Sequence, residues 1–193
     1  MLRITQSLLS AWDYVYKKED GYEDFLSTLK REKKPPTQAM LDGRRFEGLV
    51  NSALDGNPIP EDIEWYQPVM QLSKYLAGSQ QQVEIRRVVE IDGVQFQLHG
   101  ILDFLRSGII FDTKFSKTYK VGKYLDSPQH PMYFALVPEA YEFQYLISDG
   151  TYLYREVYRP GDTDPIEKEI RLFMRYLEQR DLIDIFVEKW IAE

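Results

Sequence analysis

Apolar and polar positions alternate along VEIRRVVEIDGVQFQLHGILDFLRSGIIFDTKF, residues 83–115, in three runs parted by Asp92-Gly93 and Ser107-Gly108. A period of two rich in β-branched residues predicts strands, and both dipeptides favour tight hairpin turns. Three antiparallel strands are expected, at about 83–91, 94–105 and 108–115. Elsewhere the spacing is helical. Residues 4–17 form an amphipathic pattern with Thr5 or Ser7 as cap, and a second helix covers Glu23 to Arg31. KREKKPP then reads as a solvated linker. Over 37–54, Met40, Phe46, Leu49, Val50 and Leu54 share a face, and Gly43 and Gly48 on that helix suit close backbone approach.

After DGNPIP, the segment IEWYQPVMQLSKYLAG predicts one or two helices split near Pro68. A helix from Lys123 to Leu136 follows the meander, then a strand pair, EFQYLIS and YLYREVY, around Asp149-Gly150. The carboxyl-terminal residues are helical, in one or two pieces. This order predicts an α/β fold with a mixed sheet of about five strands flanked by helices. The 193 residues suit a single domain: amino-terminal helices over 1–36, a core over 37–158 and closing helices over 159–193.

Composition narrows the chemistry. With 44% hydrophobic and 28% charged residues the chain has enough apolar side chains for a folded core. No apolar run approaches the roughly 20 residues of a membrane-spanning helix, and the charged amino terminus is unlike a secretory signal, so a cytoplasmic protein without a membrane partner is expected. The absence of cysteine excludes disulfides, thiolate zinc sites and iron–sulfur clusters, and two histidines leave little for an imidazole cage. A net charge of −7 means that any nucleic acid must be met by local basic patches or through bound cations.

Against that background, GILDFLRSGIIFDTKFSK places Asp103, Asp112 and Lys114 inside apparent core strands. A buried carboxylate needs a partner or a function. Period two puts Asp112 and Lys114 on one face with Thr113 on the other, and the tight turn brings Asp103 beside Asp112. Two converging carboxylates make a hard-oxygen site suited to Mg²⁺ or Mn²⁺.

Asp103 followed by Asp112-Thr113-Lys114 resembles the core motif of the PD-(D/E)xK nuclease superfamily. Gln129 and Tyr133 of QHPMY are similar to the Q-x-x-x-Y motif of its RecB-like and phage-exonuclease branch, and Glu47 in GRRFE to the acid of its helical motif. Ser7, Leu9 and Trp12 resemble the start of RecB-type domains. The resemblance implies a restriction-endonuclease-like core and an Mg²⁺-dependent DNA nuclease, most simply an exonuclease of phage, prophage or bacterial recombination or repair. It implies metal ligation by Glu47, Asp103, Asp112 and the Thr113 carbonyl, with Lys114 positioning water and Gln129 and Tyr133 lining the site. Arg44, Arg45, Lys117, Lys120 and Lys123 would supply a basic lip for DNA. A homo-oligomer and a recombination partner protein are implied by relatives. His99 and His130 are expected outside the chemistry. The alternatives are a catalytically inactive nuclease-fold scaffold that binds DNA or protein, and a restriction-type endonuclease.

Overall fold

The computed structural model describes residues 1–192 and contains a six-stranded mixed sheet between two helical layers. The elements in order are β1 (Leu2–Thr5), α1 (Gln6–Lys18), α2 (Tyr22–Leu29), α3 (Gln38–Leu54), α4 (Tyr66–Leu76), β2 (Gln80–Ile91), β3 (Val94–Arg106) and β4 (Ile109–Phe115). They continue with α5 (Gln129–Leu136), β5 (Glu142–Ser148), β6 (Leu153–Tyr158), α6 (Ile166–Gln179) and α7 (Ile183–Lys189). The α/β class and the meander match the sequence reading. The added strand is β1, whose four residues precede the Thr5 cap, where the hydroxyl accepts from the Leu8 N–H at 3.3 Å.

Three local differences have physical causes. Pro68 does not split α4, because it lies in the first turn, where a missing N–H costs no intrahelical bond. Helix α5 begins at Gln129 rather than Lys123, since residues between β4 and α5 follow turns with Gly122 at φ +79° and Pro128 at the helix entrance. On α3, Phe46 and Val50 are buried but Met40 is exposed. A Cβ built on Gly43 or Gly48 would meet no neighbouring atom within 4 Å, so neither glycine serves close backbone approach.

Alternation along β5 divides the core. Phe143, Tyr145 and Ile147 pack with α1, α2, α5, α6 and α7, whereas Leu146 faces α3 and α4 beside Phe46, Val50, Trp65, Val69, Phe104 and Phe111. Gly100 on β3 lies directly against α5. A Cβ there would lie 2.7 Å from Leu136 Cδ1 and 3.0 Å from the Tyr133 ring. Gly100→Val is therefore expected to cost about 1–3 kcal/mol through overpacking, read as a lowered denaturation midpoint. An unchanged midpoint would show that α5 has room to move.

The sheet order is unusual at β3. One side of this strand pairs with β2 from Leu105 back to Val94. The other side is shared: parallel β1 pairs with Phe96–His99 and antiparallel β4 with Phe104–Arg106. Residues 100–103 thus face a gap between two strands. Strand alternation also slips here, because Leu98 and Leu102 join the first core layer while Phe104 joins the second. Opposite Asp103 on β2, Gln82 has φ +50° and interrupts the pairing.

Candidate metal-dependent active site

The gap is filled by side chains that the sequence singled out. Buried backbone groups need partners, and no strand supplies them here. The Tyr133 hydroxyl donates to the Ile101 carbonyl at 2.8 Å. The Thr113 N–H donates to Asp103 Oδ2 at 2.9 Å, and the Thr113 hydroxyl lies 3.3 Å from the same oxygen. A β residue directs its N–H and C=O to the same side of the strand, so the Thr113 carbonyl also opens toward the gap.

Continuing the register of Phe104 with Phe111 by one step sets Asp103 opposite Asp112. Directly opposed residues of an antiparallel pair share a face. Asp112 is buried, with its Oδ2 2.6 Å from Lys114 Nζ and its Oδ1 accepting from Gln129 Nε2. Because Asp112 and Lys114 are two residues apart on β4, they form this ion pair on the face turned to α5. Gln129, at the start of α5, is itself buried.

The electrostatics follow from this crowding. Burial and then the negative charge of Asp112 push the Asp103 carboxyl well above the usual aspartate range, with a smaller push from Glu47. Lys114 and the Thr113 N–H oppose that shift. Burial pulls the Lys114 ammonium down, but Asp112 and Asp103 together hold it above the ordinary lysine value. Burial, aided by Asp112, also raises the Tyr133 phenol, which stays protonated as a donor. With both carboxylates ionised, two acids and one ammonium would carry excess negative charge, which a divalent cation would relieve.

Glu47 lies within electrostatic reach of Asp103 and Tyr133, and its Oε1 accepts from Gln82 Nε2 at 3.0 Å. It does not close a three-acid cage: among the described residues no three His, Cys, Asp or Glu side chains converge as a ready metal cluster. The donor set still fits a hard cation, since Asp103 and Asp112 are crowded carboxylates and Asp103 Oδ1 has no hydrogen-bond partner among the described residues.

The basic residues divide. Lys117 Nζ is 3.1 Å from Asp42 on α3 and 5.9 Å from the Phe115 ring centre, while Arg45 lies over Trp65 at 5.0 Å. Phe46, Trp65 and Phe115 pack together beneath them. Lys123 donates to the Ser116 hydroxyl at 2.7 Å. Arg44 and Lys120 are exposed. His130 is fully buried and stacks on Tyr158, and His99 sits 3.0 Å from Glu84, so both histidines have structural partners.

Two further tyrosines, which no motif singles out, lie near the site. Tyr145 pairs with Asp112 across the parallel β4–β5 ladder, and its ring is 5.9 Å from Lys114 Nζ. Tyr124 stacks on Tyr145 with ring centres 4.6 Å apart. Recognition of the parallel β4–β5 register would have found Tyr145. Tyr124 falls within the helix expected from Lys123 but lies in the turns between β4 and α5. Buried Glu156 fixes that segment by accepting from Tyr119 at 2.7 Å and from the Gly122 N–H at 3.0 Å.

Among the described residues no helix is long and apolar enough to cross a membrane. No protein-family profile matches the chain, and no curated protein matches it. A solved structure titled "Crystal structure of SSO0001" is similar in fold, with a TM-score of 0.54 and 14% sequence identity, over 91% of this chain and 76% of that one. At that identity the likeness extends to the α/β architecture alone.

Proposed function

We propose that the chain is an Mg²⁺-dependent deoxyribonuclease, most simply an exonuclease of phage, prophage or bacterial DNA recombination or repair. The observation that supports this reading is the closeness of Asp103, next to the last β3–β4 pair, to Asp112, whose charge acts on it, with Lys114 held 2.6 Å from Asp112. Asp103 and Asp112 would hold the ion, with Glu47 and the Thr113 carbonyl next to them. The bound ion would polarise the scissile phosphate and lower the pKa of a water. Lys114 keeps its proton and presents positive charge to the reacting phosphate. Gln129 orients Asp112, and Tyr133 braces β3 at Ile101. Arg45 and Lys117 would meet the DNA backbone.

The second reading, an inactive scaffold, draws on the separation of Glu47 from a closed three-acid cluster. End-labelled linear DNA and closed circular DNA, incubated with Mg²⁺, Mn²⁺ or EDTA, separate the readings. Loss of linear DNA alone, only with a divalent ion, is the expected result. Nicked circles would indicate an endonuclease, and inertness in every condition would leave the scaffold.

A further inference from the structure

Beyond Lys114, β4 leads to a second ammonium that the proposed chemistry does not use. Ser116 continues the strand by one bonded residue, its N–H donating to the Ser148 carbonyl at 2.8 Å. At a period of two, Asp112, Lys114 and Ser116 follow one another on the face turned to α5. Ser116 is buried, and its hydroxyl accepts from Lys123 Nζ at 2.7 Å. The Lys123 ammonium is thus anchored at the position that follows Lys114 in this row.

Lys123 differs from the neighbouring lysines in what balances its charge. Lys114 has Asp112 at 2.6 Å, and Lys117 has Asp42 at 3.1 Å. Lys123 has no carboxylate within 4 Å among the described residues; its contacts are the Ser116 hydroxyl and the Tyr124 ring, centred 5.7 Å away. An ammonium has three N–H donors, so two stay free beside an unbalanced charge. Tyr124 adds another donor. Its ring stacks on Tyr145, which pairs with Asp112, and its hydroxyl has no hydrogen-bond partner among the described residues. Burial raises this phenol against the pull of Lys114, so it keeps its proton. The backbone that presents both groups is fixed. The Lys123 N–H donates to the Lys120 carbonyl at 3.1 Å and the Ser127 N–H to the Tyr124 carbonyl at 3.1 Å. Glu156, the nearby acid, is occupied: Oε1 accepts from Tyr119 and Gly122, and Oε2 from Tyr158.

We propose that Lys123 and the Tyr124 hydroxyl form a phosphate subsite that holds the phosphodiester next to the scissile one in the same DNA strand. The inference rests on the nuclease reading, which puts the scissile phosphate beside Lys114. Positions 114 and 116 of an extended strand lie about 7 Å apart, close to the separation of successive phosphates along one DNA strand. Two ammoniums so anchored meet two consecutive phosphates. The subsite grips backbone and reads no base, so it serves any sequence. A contact remote from the breaking bond holds ground state and transition state alike, and therefore sets KM rather than kcat.

Fluorescence anisotropy of a labelled DNA hairpin with a short single-stranded tail, in Ca²⁺ over a salt series, tests it beside hydrolysis of the same DNA in Mg²⁺. Lys123→Gln is expected to weaken binding about tenfold and to lower the slope of log affinity against log salt by about 0.7–0.9, the loss of one phosphate contact. Lys123→Arg should restore both. Tyr124→Phe removes only a neutral donor, so it should weaken binding about threefold and leave the slope unchanged. In hydrolysis Lys123→Gln and Tyr124→Phe should raise KM with kcat within about twofold of wild type. Binding that Lys123→Gln weakens, with no hydrolysis by the wild type, would keep the phosphate contact and remove the nuclease reading. Hydrolysis by the wild type, with affinity, salt slope and KM unchanged in Lys123→Gln, overturns the subsite and leaves the nuclease. Failure of the wild type to bind the DNA, or a loss confined to kcat, also overturns it.

Discussion

Asp112→Asn is expected to leave the chain folded and to lower divalent-dependent DNA cleavage by at least about 100- to 1,000-fold. The substitution keeps the size and planarity of the side chain. It removes the negative charge that holds Lys114 at 2.6 Å and that a cation would share with Asp103. Loss of that charge relieves the repulsion that raises Asp103 but also removes the partner of the Lys114 ammonium, so the denaturation midpoint should fall while the fold is kept. Lys114→Ala should reduce cleavage while divalent-ion binding persists, because an ammonium is not a ligand. Turnover near wild type in either variant, measured on linear DNA with the fold checked by circular dichroism, would contradict the assigned roles.

Acid should destabilise the chain well above the ordinary carboxylate range. His130 is fully buried, its ring 4.1 Å from that of Tyr158, and burial lowers its pKa from 6.5 to about 4. Below pH 6.5 the unfolded chain gains a proton that the folded chain does not accept until about pH 4. The stability present above pH 6.5 is thus lost as the pH falls toward 4. The difference of about 2.5 in pKa corresponds to a loss on the order of 3 kcal/mol. Roughly half to two-thirds of it should have accrued by about pH 5. His130→Phe keeps a ring against Tyr158 and should flatten this part of the profile. Denaturant unfolding of both proteins at about pH 7.5 and 5 measures it. Parallel losses in the two proteins would show that another group controls acid sensitivity.

The sequence patterns that proved most legible were those whose period spans a whole element. Alternation located β2, β3 and β4, and the Asp92-Gly93 and Ser107-Gly108 turns fixed their register closely enough to bring Asp103 opposite Asp112. The helical spacing of Gln129 and Tyr133 likewise placed both on the face of α5 that meets the sheet. What stayed hidden depends on contacts distant in sequence. β1 has only four residues and gains its place by parallel pairing with β3, a partner more than ninety positions away. The stretch of β3 that neither β1 nor β4 reaches is the gap that Asp103 and Tyr133 fill. Glu47 illustrates another limit: helical periodicity located its helix, but not the Gln82 side chain that binds it. Met40 fits the apolar stripe of α3 yet lies outside the packed part of that helix.

The most direct measurement is the anomalous difference density of crystals soaked in Mn²⁺, compared with crystals of Asp103→Asn treated identically. One or two peaks between Asp103 and Asp112, with the Thr113 carbonyl or Glu47 among the neighbours and no peak in the variant, are expected. Density at another place, or none beside either aspartate, would contradict the assignment of these carboxylates as metal ligands.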